Sequence, residues 1–77
     1  MNLLRIAKKV GTDHFLQVTE VSRGFHLALF QIRSEDHEFM SLGGVVFTEW
    51  YEEEGEIDRR VAQIETDIDS VLMEQLL

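Results

Sequence analysis

The sequence predicts an α+β domain: a small antiparallel β-meander of three or four strands with a C-terminal α-helix packed on one face. Three observations carry this. Ile57, Val61, Ile64, Ile68, Val71 and Leu72 recur in steps of four and three, the period of one helical face. Two runs rich in Phe, Val, Leu, Ile and Thr, His14 to Arg23 and Phe25 to Arg33, flank a turn at Ser22, Arg23 and Gly24, which is a hairpin signal. Finally, 77 residues with no cysteine form a single domain with one core, and neither a disulfide nor a thiolate metal site reinforces it.

Taken in order, residues 3 to 10 fit two templates. On a helical wheel Leu3, Leu4, Ile6, Ala7 and Val10 share one side and Arg5, Lys8 and Lys9 the other, with the lysines and Gly11 suited to a helix end. Alternatively Gly11, Thr12 and Asp13 close a first hairpin, so a short N-terminal helix and a strand both stand. The bases lie inside the apolar run instead of ahead of it, unlike the layout of a signal peptide. After the central hairpin, Ser34 to His37 read as a polar turn and Phe39 to Tyr51 as a third strand. Gly43 and Gly44 mark in it either a bulge or a tight turn between two shorter strands. Residues 56 to 76 read as one helix in which Ile64 and Ile68 are buried.

In the two central strands Leu16, Val18, Leu27 and Leu29 oppose Phe15, Val21, Ala28, Phe30 and Ile32, so both faces of the sheet are apolar. One helix covers only one of them. Either the N-terminal segment covers the other as a helix or a second chain does, and the expected assembly is a homodimer.

The formal net charge is −8. Residues 1 to 34 hold five bases and two acids, whereas residues 35 to 77 hold thirteen acids and two bases. Such a chain is repelled by phosphate backbones and anionic lipids, which argues against direct nucleic-acid or membrane binding. No apolar run approaches the ~20 residues of a membrane span, and the expected location is the cytoplasm, the host's if the protein is viral.

Catalysis and metal binding find little support. His14, His26 and His37 fall on separate edges or loops, with no pair at ligand spacing even beside Asp36 and Glu38. Of the four serines, Ser22 and Ser34 lie in turns and Ser70 on the polar side of the helix, and the many carboxylates lack a pocket to separate their pKa values. Gly43-Gly44 leads into a strand with no lysine, so it is no phosphate loop. The expectation is no enzyme, no cofactor and no metal.

The unusual segment is Glu49-Trp50-Tyr51-Glu52-Glu53-Glu54, where aromatic rings suited to binding hot spots adjoin carboxylates. The helix adds an acidic row, Asp58, Glu65 and Asp69, with Glu65 and Asp69 one turn apart in mutual repulsion. Arg59 and Arg60 are spaced to pair with Glu56, and nothing basic is placed to relieve the row. These nine residues, Glu49 to Glu54 with Asp58, Glu65 and Asp69, are the expected partner-binding set. The expected partner is a basic protein surface, such as that of a nuclease or other nucleic-acid-binding protein. In size and charge alone the chain resembles small acidic phage proteins that block host nucleases, anti-CRISPR proteins among them. The alternative is a structural or regulatory homodimer whose acidity only keeps it soluble.

Overall fold

Four strands in chain order, each antiparallel to the one before it, build the sheet on which two C-terminal helices lie. The computed structural model describes residues 2–77. The elements are β1 (Leu3–Val10), β2 (His14–Val21), β3 (Gly24–Glu35), β4 (Met40–Tyr51), α1 (Glu54–Thr66) and α2 (Ile68–Glu74).

Of the two templates that residues 3–10 fit, the strand is the one formed, and the possible short N-terminal helix is absent. Residues 3–10 pair with β2, and the register slips between Leu4 and Ile6, leaving Arg5 as the extra residue of a bulge. Beyond it the alternation is Ile6, Lys8 and Val10 toward the helices. The lysine obscures this pattern in the sequence. Lys8 sits on an edge strand, where its ammonium reaches Glu65 of α1 at 2.7 Å, so a charged residue faces inward without being buried. Gly11, at φ +63°, takes the left-handed conformation that closes the β1–β2 turn.

The remaining strands follow the sequence pattern more closely. Gly24, at φ +102°, opens β3 where a Cβ would lie 2.4 Å from the Tyr51 carbonyl oxygen. β3 runs to Glu35, so the following turn is 36–39, held by the Asp36 carboxylate, which accepts from the backbone N–H of Phe39 (2.8 Å) and Glu38 (2.9 Å). Those two bonds hold the Asp36 pKa below its ordinary value. β4 is one strand starting at Met40, bent by register shifts against residues 29–34 of β3. Gly43 and Gly44 lie in this bent stretch and make no turn.

The pairing sorts the sheet into two faces. Toward the helices run the rows Lys8, Leu16, Leu29, Phe47; Ile6, Val18, Leu27, Glu49; and Leu3, Glu20, Phe25, Tyr51. Leu16, Val18, Leu27 and Leu29 are buried here against Ile57, Val61, Ile64 and Val71 of the helices. On the other face run Lys9, Phe15, Phe30, Val45; Ala7, Gln17, Ala28, Thr48; and Leu4, Thr19, His26, Trp50. Both helices lie on the first face, and the second is open.

The C-terminal helix is shorter and broken. α1 begins two residues earlier than the periodicity places it, and the Glu56 carboxylate reaches back to accept the Glu53 N–H at 3.2 Å. Asp67 leaves the helical conformation at φ −150° and ψ 59°, and its side chain accepts from the Ser70 N–H to start α2. An Asp competes with the backbone for just such a hydrogen bond, and here its side chain caps the next helix instead of continuing α1. The break turns the apolar stripe: Ile64 and Val71 are fully buried, whereas Ile68 is only partly buried beside Gly11. No helix of the described residues is long and apolar enough to cross a membrane.

Candidate functional site

The strand alternation of β4 splits the aromatic and acidic run. Glu49 and Tyr51 face the helices, while Trp50 faces the open side opposite His26. Glu52 and Glu53 form the two-residue link to α1, and Glu54 begins that helix.

Glu49 is held internally. Its Oε1 accepts from Arg60 Nε at 2.8 Å and from the Tyr51 hydroxyl at 2.9 Å, and its Oε2 accepts from Arg60 Nη2 at 2.8 Å. This two-pronged carboxylate–guanidinium geometry is the strongest form of the pair. The Arg60 side chain is only 10% exposed and that of Glu49 24%. The guanidinium also lies 5.8 Å from the centre of the Phe47 ring and bonds Gln63 at 2.9 Å and Glu74 at 3.4 Å. Arg60 thereby ties β4, α1 and α2 together. The hydrogen bonds to Glu49 raise its pKa further above the ordinary guanidinium value. Partial burial, with the bond to Glu49, likewise raises that of the Tyr51 hydroxyl.

Two more acids of the expected set have internal partners. Glu54 bonds Arg5 at 3.1 Å, and Arg5 also pairs with Glu20. Glu65 pairs with Lys8. The expected unrelieved row is thus corrected on two counts: Lys8 neutralises Glu65, and the break at Asp67 puts Glu65 and Asp69 on different helices. The expected Arg60–Glu56 pairing is corrected as well, since Arg60 turns to Glu49. The bulge explains Arg5, because the extra residue lets a side chain reach the helix start from an edge strand.

What stays together at the surface is smaller. Trp50, Glu52 and Glu53 line an open cleft of about 560 Å³ with Arg23 and Gly24. The indole is 53% exposed, and its Nε1 donates to the Arg23 carbonyl at 2.8 Å. Trp50 is thus neither core nor free: one edge pins the β2–β3 turn and the rest of the ring faces solvent. Glu56 and Asp58 follow in the first turns of α1, exposed; Asp69 is exposed on α2. Glu52, Glu53, Glu56 and Asp58 have no basic side chain in salt-bridge range among the described residues.

No protein family, curated protein or solved structure matches this chain. The site therefore rests on its own geometry.

One feature escaped the sequence. Phe39, read as the start of a strand, stands 72% exposed at the tip of the Asp36 turn. The signal was present in the spacing: an Asp three residues ahead of a residue is placed to accept its N–H and hold the turn. Among the described residues no three of His, Asp and Glu gather as metal ligands would.

Proposed function

We propose that this chain is a non-enzymatic protein-binding module, an inhibitor or regulator that presents carboxylates to a basic protein surface of the kind nucleic-acid-handling enzymes carry. Its place of action is the cytoplasm. The observation that supports it is the junction from Trp50 to Asp58, where Glu52, Glu53, Glu56 and Asp58 are exposed without basic partners beside a half-exposed indole. Unpaired carboxylates so close in sequence repel one another and raise the energy of the free protein, and a cationic partner relieves that repulsion. The indole supplies contact area next to the charges, the combination found at binding hot spots.

The docking set is accordingly narrower than the sequence suggested: Trp50, Glu52, Glu53, Glu56 and Asp58, with Asp69 at a distance. Glu49, Glu54 and Glu65 serve to hold α1 against the sheet, and Tyr51 serves Glu49.

The test begins with capture from a nuclease-treated lysate at low and high salt, followed by kinetics with the purified basic partner. A triple variant, Glu52→Gln, Glu53→Gln and Asp58→Asn, leaves the internal ion pairs intact. Its association is expected to slow by about tenfold at low salt and to lose most of its salt dependence, with dissociation little changed. Equal association rates for variant and wild type refute the reading. Recovery of the chain alone, with no basic partner, favours the homodimer with no nucleic-acid-related role.

A further inference from the structure

One face of the sheet is left uncovered by the described residues, since both helices pack on the other. Its apolar end gathers Phe15, Phe30, Ile32, Leu42 and Val45 beside the nearly buried Ala28. Val45 is 54% exposed, and Leu42 is exposed as well. A sheet with one solvated face normally places polar residues there.

Charge identifies the occupant. The rows of this face contain no carboxylate, although the chain carries −8. Their one lysine, Lys9, is neutralised at the rim by Glu35 at 2.7 Å. A second copy of so acidic a chain can approach closely only where acids are absent, and this face is where they are absent. A basic partner, by contrast, is drawn to the far end of β4, where Glu52 and Glu53 lie beside Trp50 in the link to α1. Size agrees. The molecule extends 35 × 31 × 19 Å, and a stable interface needs ~800 Å² per partner, a square of roughly 28 Å on edge.

We infer that two copies pack sheet to sheet through this face, centred on Phe15, Phe30 and Val45, to form a four-layer α/β/β/α homodimer. Sheets stack this way about 10 Å apart with inner side chains interleaved. The acidic junctions stay outside, because Glu52 lies just past the end of β4, seven residues from Val45 and roughly 20 Å of extended chain away. The inference stands apart from the acidic-docking reading and requires no basic partner.

The experiment is sedimentation equilibrium of the full chain, with circular dichroism on every variant. The wild type is expected at twice the 9.0 kDa of the chain, and its dimer tightens as salt screens the repulsion between copies. Val45→Asp and Thr48→Asp place a carboxylate at exposed positions of β4 that the free chain tolerates, and both are expected at monomer mass with unchanged dichroism. If Val45→Asp alone loses its fold, Thr48→Asp decides. Asp69→Lys, on the helix side, is expected to remain dimeric. A wild type that is monomeric at high micromolar concentration overturns the inference, and so does a folded Thr48→Asp that dimerises as the wild type does. Dissociation caused by Asp69→Lys but not by Thr48→Asp overturns it too, since the contact is then on the helix side.

Discussion

Removing the Arg60 guanidinium tests how α1 is held to the sheet. In Arg60→Met the stem still covers Phe47, but Glu49 keeps only the Tyr51 hydroxyl as a partner. Exposed ion pairs are worth ~0.2 to 1 kcal/mol, while losing one member of a buried pair costs ~3 to 5 kcal/mol. With side chains 10% and 24% exposed, this pair falls between those limits. A coupling of about 1 to 2 kcal/mol is the expected result of a double-mutant cycle with Glu49→Gln. A domain this small has ~3 to 5 kcal/mol to lose, so Arg60→Met alone lowers the melting midpoint by roughly 10 °C, at ~4 to 8 °C per kcal/mol. Urea melts of the four proteins at one fixed chain concentration measure the coupling, repeated at high salt. It should survive there, because partly buried charges are little screened. A coupling below about 0.3 kcal/mol, the level of independent sites, or one abolished by salt, refutes the reasoning and returns Glu49 to the pool of acids open to a partner.

The break at Asp67 makes Ile64→Ala more damaging than Ile68→Ala: about 2 to 5 kcal/mol at the fully buried site against roughly half that at the partly buried one. Equal losses in urea melts, or the reverse order, contradict the break. Tyr51 gives a pH dependence of known sign: its folded pKa is raised, so the stability it contributes is complete below the unfolded value of about 10 and falls as pH climbs above it. As the chain has one tyrosine, the phenolate absorbance reads it alone, and a midpoint at or below that of the urea-unfolded chain refutes the assignment.

The parts of this fold that were legible in the sequence are those where one local rule acts alone. The central hairpin alternates without interruption because both β2 and β3 have neighbours on each side. The stripe from Ile57 to Ile64 shows its period because α1 has one buried side. β1 was ambiguous since an edge strand lets Lys8 face inward and a bulge at Arg5 shifts the alternation by one, which together imitate a helical wheel. The break at Asp67 was hidden because Ile68 and Val71 keep the helical spacing across it. The acids were harder still. Charge was countable, but which carboxylates are neutralised depends on contacts such as Arg5 with Glu54, 49 positions apart, and no spacing rule reaches that far.

The order of the strands has a kinetic consequence. Every strand pairs with its sequence neighbour, and the connections are short, two residues between β2 and β3 and four between β3 and β4. Loop closure is therefore inexpensive in entropy, and the sheet can grow hairpin by hairpin at a rate set by local encounters. The helices reach back across most of the chain to dock, so their contacts form late in the expected sequence of events. Changes at Arg60 or Ile64 then act chiefly by hastening unfolding, whereas strain at Gly24 slows folding itself. In such a protein the persistence of the native state is governed from the helix layer and the speed of reaching it from the turns.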